Sequence, residues 1–412
     1  MPDRTRVRFL DRSTPPHLAT LIFLAGVSAL GMNIFLPSLP GMTAYFETDY
    51  GIMQLSVALY LAFNAALQVV IGPISDRYGR RPVVLGGIVI FMPATLGGLY
   101  AQSGEGFLGF RMAQAAVVVG MVLSRAVVRD LVSQDRAASM LGYLTMGMSV
   151  VPMIGPAIGG FLDDISGWRA NFWLLLLAGV AMFALAWADM GETAPARSTR
   201  FRDQVRDYPA LLTSPRFWGY NLSAAFTSGA FFAYLGGAPY VGATVFGLSP
   251  SELGLYFGAP AIGYFVGNWM SGRFSVRFGI NSMILVGSIL CAGGMVMQLA
   301  VFALGGQSAA VFFAFMTFVG LGNGLVLPNA TSGMLSVRPK LAGTASGLGG
   351  ALMLGGGAAL SALAGVALGD GATAFPLIYI MCATSFAGVL SILYVLRREA
   401  HLARLAQDGA TL

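Results

Sequence analysis

One charged residue stands inside a long apolar run, where a charge is costly and usually functional. Arg111 lies within FLGFRMAQAAVVVGMVL, and Gln114 follows three residues later, which places both side chains on one face of a helix. The guanidinium stays protonated at ordinary pH, so it needs polar partners or a water-filled cavity. Alternatively, Arg111 snorkels toward the end of its helix near Glu105. The first interpretation predicts a site for substrate binding or charge coupling.

A short charged stretch, GPISDRYGRR, separates two apolar runs at residues 72–81. Its glycines permit turn geometry and close backbone approach, so we expect a tight turn here, with Pro82 beginning the next helix. Asp76 is suited to cap that helix, because a carboxylate is favourable near a helix N-terminus. A plain basic loop would explain the arginines but neither the acid nor the ordered glycines. The residues of interest in this stretch are Gly72, Asp76, Arg77, Gly79 and Arg80.

The other residues able to do chemistry do not form an enzyme site. His17 and His401 lie near opposite ends of the chain, which disfavours a histidine metal site. Cys291 and Cys382 fall in apolar runs and indicate no disulfide framework. No phosphate-binding loop of the G-x-x-x-x-G-K-S/T type is present, so ATP is not the expected energy source. We therefore expect no enzymatic activity, no metal and no cofactor.

The elements that position these residues are predicted to be membrane-spanning helices. Of 412 residues, 56% are hydrophobic and only 10% are charged, and the mean hydropathy is +0.73. A soluble domain of this length could not bury so much apolar surface. Apolar runs of about 20 residues recur along the chain, as they do in an all-α membrane protein. The twelve predicted spans are residues 18–40, 51–74, 82–101, 106–128, 138–161, 170–189, 216–239, 251–272, 281–303, 308–329, 342–367 and 373–396.

The distribution of basic residues predicts the orientation of these spans. The formal net charge is +6, and nearly all of the 24 Lys and Arg residues fall on one side of the predicted membrane. The positive-inside rule places that side, and both termini, in the cytoplasm. Because the arginines do not line one basic face, nucleic acid is not an expected partner. We expect a multi-pass protein of the bacterial inner membrane that is monomeric in the lipid bilayer.

The longest charged connection divides the chain into two halves of six spans each. We predict a first six-helix bundle at residues 1–190, a cytoplasmic linker at 191–215 and a second bundle at 216–412. The halves also repeat weakly at a distance of 200 residues. The recurring residues are Gly72, Arg77 and Gly79 in the first half and Gly272, Arg277 and Gly279 in the second. Parallel repeats of this kind are typical of secondary transporters.

Three motifs resemble those of the major facilitator superfamily. The stretch G-x-x-x-D-R-x-G-R-R resembles its loop between the second and third spans, and the R-x-x-Q spacing at Arg111 resembles its fourth-span motif, with Ala115 where glycine is usual. G-P-x-x-G-G in the fifth span resembles the motif of its exporters. The residues of that exporter motif are Gly155, Pro156, Gly159 and Gly160. With FLPSLP at residues 35–40, the pattern resembles the bicyclomycin- and chloramphenicol-resistance (Bcr/CflA) drug exporters.

The resemblance implies the major facilitator fold and the export of small amphipathic compounds in exchange for protons, by alternating access. It implies that Asp76 clamps a neighbouring cytoplasmic helix end, either that at Arg129 or the start of the eleventh span, and that Arg111 takes part in proton or substrate coupling. Asn33 departs from the pattern, because it stands where that branch carries an aspartate, and an amide cannot exchange protons near neutral pH. Coupling could then persist if the substrate is a cation or if the carrier is an acid at the end of a span. Without a carrier, the alternative is a dedicated exporter or uniporter of one metabolite.

Polar and aromatic side chains within the spans are candidate substrate contacts, although most membrane aromatics serve packing. These candidates are Asn33, Tyr60, Asn64 and Gln114 in the first half and Phe226, Phe232, Tyr234, Tyr264 and Asn323 in the second. A membrane sensor or scaffold, the other class compatible with this composition, would be expected to carry an appended soluble domain. The sequence therefore favours a transporter.

Overall fold

A computed structural model describes residues 7–131, 154–194, 211–338, 342–369 and 373–407, together with positions 140, 144, 151 and 209. Within these residues all regular structure is helical. Short 3₁₀ turns occupy Leu36–Ser38 and Ala115–Val117, and a π-turn occupies Val241–Val245. The helices are α1 Leu18–Asn33, α2 Leu39–Tyr45, α3 Tyr50–Tyr78, α4 Arg80–Leu99, α5 Gly104–Gln114, α6 Val118–Leu131, α7 154–166, α8 Arg169–Asp189, α9 Pro215–Tyr240, α10 Pro250–Tyr256, α11 Ala259–Phe278, α12 Ile280–Ala303, α13 Ala309–Val337, α14 Ala342–Leu368 and α15 Phe375–Gln407.

Nine helical segments in the described part of the chain are long and apolar enough to cross a membrane. They correspond to nine of the twelve predicted spans. The predicted seventh span forms α9, whereas the predicted eighth span is not one helix but is divided between α10 and α11. Helices α9 and α11 are not among the nine, and both sequences are rich in Gly, Ser and aromatic residues. The predicted fifth span lies largely outside the described residues, as does the short helix predicted in the linker.

The chain forms two compact units. The first comprises Met1–Phe201 with Pro239–Gly258, and the second comprises Arg202–Ala238 with Ala259–Leu412. The first unit therefore includes the end of α9 and all of α10, in addition to α1–α8. Each unit has its own polar and aromatic interior, which we describe separately.

The turn predicted at residues 72–81 is much shorter than expected. Helix α3 continues to Tyr78 and α4 begins at Arg80, so Gly79 alone makes the turn, with a φ of 97° that favours glycine. A Cβ added at Gly72 would meet nothing within 4 Å, so the expectation of close backbone approach there is wrong. Pro82 is the third residue of α4, not its first.

The second unit repeats this turn. Gly279 has a φ of 81° and separates α11 from α12, as Gly79 separates α3 from α4. Nearby, the Glu399 carboxylate accepts hydrogen bonds from Tyr220 Oη at 3.0 Å and from Asn281 Nδ2 at 2.6 Å, and pairs with Arg216 Nη2 at 2.9 Å. One acid near the end of the last helix thus joins the beginnings of α9 and α12.

Aromatic rings fill the part of the first unit where α1, α5 and α8 meet. Phe172 lies 5.4 Å from Phe107, 5.6 Å from Trp168 and 5.9 Å from Phe35, measured between ring centroids. Such pairs contribute about 0.5–1.5 kcal/mol each beyond their buried area. Phe107 lies one helical turn before Arg111 on α5, so this cluster holds the arginine against α1.

Candidate functional site

Arg111 is buried inside the first unit, with only 1% of its surface exposed. Its Nη1 donates to Gln114 Oε1 at 2.7 Å and its Nη2 donates to the backbone carbonyl of Gly31 at 2.7 Å. The predicted Arg111–Gln114 pair is therefore present on one helical face. The snorkelling alternative is wrong, because the guanidinium contacts α1 and Gln114 and is not directed toward Glu105 at the start of α5.

Two aromatic rings cover this guanidinium. Its Cζ lies 4.0 Å from the ring centroid of Tyr60 and 4.3 Å from that of Phe35. Cation–π contacts of this kind contribute about 0.5–2 kcal/mol each, most when water is excluded. Tyr60 is one of the predicted site residues, and Phe35 belongs to the FLPSLP run. Phe35 follows Gly31 by four residues, so both reach the same place from α1 and the turn after it.

Three polar atoms of this region have no hydrogen-bond partner among the described residues. They are Arg111 Nε, Tyr60 Oη and Asn33 Oδ1, each on a side chain that is 1% exposed. Leaving a buried polar group unpaired costs about 1–3 kcal/mol, so each needs an explanation. The Asn33 side chain donates from Nδ2 to the carbonyl of Ala29 at 3.4 Å. The structure thus brings Tyr60 and Gln114 to Arg111 but gives Asn33 a partner on its own helix.

Gln114 connects Arg111 to the neighbouring helix α4. Its Nε2 donates to Thr95 Oγ1 at 2.8 Å, and Thr95 in turn donates to the carbonyl of Phe91 at 2.7 Å. Because the amide accepts from Arg111 with Oε1, the two contacts fix its orientation. We call Gly31, Phe35, Tyr60, Thr95, Arg111 and Gln114 the Arg111 site.

A second charged cluster ties three helix ends together. Arg80 Nη1 lies 2.6 Å from Asp76 Oδ1, and Arg80 Nε lies 2.9 Å from Asp130 Oδ2. Arg80 also donates to the Ser75 hydroxyl, and only 7% of its surface is exposed. The ends of α3 and α6 therefore meet at the first residue of α4. We call Asp76, Arg80 and Asp130 the Arg80 clamp.

Asp76 does not cap α4, so that interpretation is wrong. Since α3 runs on to Tyr78, Asp76 lies on α3 four residues before Arg80 and pairs with its side chain. Gly79 is the N-cap of α4 and gives no side-chain bond. Arg77 places its guanidinium 5.4 Å from the Tyr78 ring centroid and takes no part in the clamp. The side chain of Arg129 lies outside the described residues.

Glu192, which the sequence did not single out, supplies the cap instead. Its Oε1 accepts from the backbone N–H of Arg80 at 2.8 Å, and its Oε2 from that of Arg81 at 3.3 Å. These two N–H groups belong to the first turn of α4, where helices lack internal partners. Only its position just after the last span of the first half could have suggested this role.

The N-terminal segment before α1 is held by Asp189, the last residue of α8. Asp189 is fully buried and accepts from the backbone N–H of Leu10 at 2.7 Å and of His17 at 2.8 Å. It also accepts from the Thr20 hydroxyl at 2.6 Å. Residues 7–17 are therefore fastened to the helix that ends the first half.

The glycines of the exporter motif allow backbones to approach closely. A Cβ at Gly159 would collide with the carbonyl of Ile34, and one at Gly160 would collide with the carbonyl of Pro250. A Cβ at Gly155 would lie 3.1 Å from Leu30 Cδ1. Pro156 presents its own carbonyl to Gly254 of α10. Helix α7 thus packs on the end of α1 and on α10 with almost no space for side chains.

Near this contact lies an acid that the sequence did not single out. Asp163 is half-buried in the last turn of α7, two residues beyond the predicted fifth span. Burial raises the pKa of its carboxyl and the neighbouring charge of Asp164 raises it further, while a hydrogen bond to Ser38 opposes them. Asp164 itself accepts from the backbone N–H of Ser251 at 3.2 Å.

In the second unit, the predicted contact Asn323 lies in an uncharged polar cluster. It accepts from the Ser228 hydroxyl at 2.9 Å and donates to the carbonyls of Val319 at 2.9 Å and Thr227 at 3.3 Å. The candidates Phe232 and Tyr234 are buried, whereas Phe226 and Tyr264 are half-buried. Asn64, the remaining candidate, is buried in α3 and accepts from Gln68 Nε2 at 2.9 Å.

Comparison with known proteins gives concordant matches. The family described as Major Facilitator Superfamily matches residues 21–362. The chain is 32% identical to the chloramphenicol resistance protein of Pseudomonas aeruginosa, over 81% of this chain and 82% of that protein. It is also 32% identical to multidrug resistance protein D of Escherichia coli (strain K12), over 84% and 87%. A solved bacterial homologue of the human lysosomal transporter Spinster shares the fold, with a TM-score of 0.71 and 17% identity over 93% of this chain and 96% of that chain.

Proposed function

We propose, since this chain belongs to the Major Facilitator Superfamily, that it exports small amphipathic compounds, drugs among them, across the bacterial inner membrane. The family makes it a multi-pass membrane transporter and not an enzyme. Two relatives at 32% identity are named for resistance to chloramphenicol and to multiple drugs. This confirms the family and the branch that the motifs predicted.

The observation that carries the proposal is the Arg111 site. A buried guanidinium has two hydrogen bonds, two aromatic rings against it and an unused Nε donor. Aromatic surface beside unsatisfied donors suits a ligand with an apolar body and a few polar groups. We assign substrate contact to Arg111, Tyr60 and Gln114, and an auxiliary place to Asn33.

Alternating access requires that one side of the pathway close while the other opens. On the predicted topology the α3–α4 turn is cytoplasmic, so the Arg80 clamp holds the cytoplasmic ends of three helices as one block. Asp76 and Asp130 neutralise Arg80 in a mostly buried place, where an unpaired charge would be costly. We propose that the clamp stabilises the state that is closed to the cytoplasm.

We further propose that protons enter in exchange for substrate. Asn33 cannot carry a proton, so an acid at the end of a helix is required. Asp163 supports this role, because its pKa is raised and it hydrogen-bonds to Ser38, the last residue of the 3₁₀ turn that follows α1. On the predicted topology it faces the outside of the cell, where protons are taken up.

Growth under drug challenge tests the proposal. A bacterial host without its own efflux pumps would express the native chain, Arg111→Ala and, as a matched control, Arg398→Ala on the exposed end of α15. Equal membrane levels are verified by immunoblotting. We expect the native chain and Arg398→Ala to raise resistance to several unlike amphipathic drugs, and Arg111→Ala to lose it.

If none of the three strains were more resistant than the host itself, drug export would be contradicted. That result would favour the alternative, a dedicated transporter of one metabolite without proton coupling. Everted membrane vesicles provide the test of exchange: a pH gradient should drive drug accumulation by the native chain, and its collapse should stop it. Drug accumulation that does not depend on the pH gradient would overturn proton antiport but not drug export.

A further inference from the structure

The charges within the spans are unbalanced, and this bears on which substrates the proposed exporter takes. Arg111 is a cation in the interior of a span, whereas each acid of the described helices lies in the first or last turn of a span or helix. The acids nearest to it in sequence are Glu105, in the first turn of α5, and Asp130, which pairs with Arg80. The sequence from residue 136 to 162, part of which lies outside the described residues, contains no acid at all.

The unused donors of the Arg111 site define what would complete it. A guanidinium has five N–H groups in one plane, and its contacts to Gln114 and Gly31 use two. Arg111 Nε and Tyr60 Oη have no acceptor within the described part of the chain. Arg111 Nε can only donate and the Tyr60 hydroxyl can donate, and the rings of Tyr60 and Phe35 keep water from the charge. A ligand oxygen that carries negative charge would satisfy both donors and balance the cation.

We infer that the preferred substrates are amphipathic organic anions, with one carboxylate or similar oxyanion on an apolar body, and that Arg111 and Tyr60 bind the anionic oxygen. This inference rests on the proposed export function and specifies its substrate class. An organic cation would meet a like charge at Arg111, and the interior of the described spans offers it no carboxylate. Neutral compounds with a strong hydrogen-bond acceptor are preferred over organic cations but less than organic anions.

Anionic substrates also change the energetics of export. The cytoplasm is negative, so a monovalent anion moves outward down the membrane potential. A potential of about 100 mV corresponds to roughly a 50-fold concentration ratio for one charge. A proton that enters in exchange would move charge in the same favourable direction. Export of an anion therefore tolerates Asn33 in place of a carboxylate, because the potential alone can drive it.

Three probes that share one fluorophore would test the inference in proteoliposomes of the full-length chain. Dansylglycine is an anion, its methyl ester is neutral, and the mono-dansyl derivative of ethylenediamine is a cation. Efflux of preloaded probe is followed with and without an inside-negative potassium diffusion potential of about 100 mV. We expect dansylglycine to leave at least tenfold faster than the amine, and to be accelerated by the potential more than the methyl ester, whose only charge movement is that of an entering proton.

Two variants separate recognition from folding. Tyr60→Phe keeps the ring over Arg111 and removes one donor, so we expect the KM for dansylglycine to rise about three- to tenfold while that for the methyl ester changes less than twofold. Arg111→Gln removes the charge, and we expect it to abolish the preference for the anion over the ester. Arg111→Lys keeps the charge without the forked geometry and should retain part of that preference.

The outcomes distinguish this inference from the proposed function. Faster transport of the amine than of dansylglycine, or resistance to drugs in cells without any movement of dansylglycine in proteoliposomes, would overturn the inference and leave drug export standing. Absence of both probe transport and drug resistance would overturn both. An unchanged KM in Tyr60→Phe would remove the tyrosine from the binding site.

Discussion

The carboxylate of Glu192 accepts a hydrogen bond of 2.8 Å from the backbone N–H of Arg80. The same arginine uses its side chain to join Asp76 and Asp130. One residue therefore receives the cap of its helix through its main chain and holds two neighbouring helices through its side chain. Substitution of Glu192, Asp76 or Asp130 should therefore affect the same turn between α3 and α4.

Glu192→Ala should destabilise the protein, because it leaves the first-turn N–H groups of Arg80 and Arg81 without their acceptor. Loss of such a cap costs about 1 kcal/mol. Thermal unfolding in detergent measures it, with Gln102→Ala at an exposed position as the control. Glu192→Gln retains an acceptor oxygen and should lose less. Equal unfolding temperatures for Glu192→Ala and the native chain would show that the cap is not stabilising.

Asp76→Asn should leave expression intact and lower the transport rate about tenfold, or about 1.4 kcal/mol in the barrier. The amide removes the charge that faces Arg80 at 2.6 Å, which weakens the clamp without removing side-chain volume. Drug efflux from preloaded cells measures the rate. Asp49→Asn is the matched control, since this exposed acid precedes the same helix and its side chain makes no cap bond. A native rate in Asp76→Asn would refute the clamp.

Gly159→Ala and Gly72→Ala should change stability in opposite directions. The added methyl collides with the carbonyl of Ile34 at Gly159, and overpacking of this kind costs about 1–3 kcal/mol. At Gly72 it meets nothing within 4 Å, so higher helix propensity should stabilise α3 by about 0.5–1 kcal/mol. Thermal unfolding of both purified variants decides the matter. Destabilisation by Gly72→Ala would argue for a close approach that this structure does not contain.

Asp163 should make both stability and transport depend on pH. Its pKa is raised in the folded protein, so folding favours the protonated carboxyl. The resulting stabilisation is complete below the unfolded pKa, near 4, and is lost as the pH rises through the raised native value. Asp163→Asn should remove that part of the pH dependence from unfolding profiles and from proton-driven efflux. Asp164→Asn should move its midpoint to lower pH, because Asp164 raises the pKa of Asp163.

The sequence was sufficient to predict features that depend on residues close to one another along the chain. Runs of apolar residues predicted the helices, and the three-residue spacing of Arg111 and Gln114 predicted the shared helical face on which their hydrogen bond forms. It failed at the turn, since the stretch before Gly79 contains polar residues that α3 accommodates at its end. Gly79 itself was predicted correctly, because its positive φ is a property of one residue.

Partners distant in sequence could not be predicted in this way. The carbonyl of Gly31 lies 80 residues before Arg111, and Glu192 lies 112 residues after Arg80. The local sequence identifies neither partner. Every residue has a backbone carbonyl like that of Gly31, and Glu192 is one of several charged residues in the connection between the two halves. Only the packing of α1 on α5, and the return of the chain to α4, creates these contacts.

The attachment of the N-terminal segment to Asp189 also imposes an order on the making of this protein. Leu10 is synthesised 179 residues before the carboxylate that receives its N–H. At roughly 5–20 residues per second, the segment waits about 10–40 s for its partner to leave the ribosome. During that time the six predicted spans of the first half are synthesised. Residues 7–17 are thus secured only after α8 has been synthesised, and Pro239–Gly258 of the same unit follow later still.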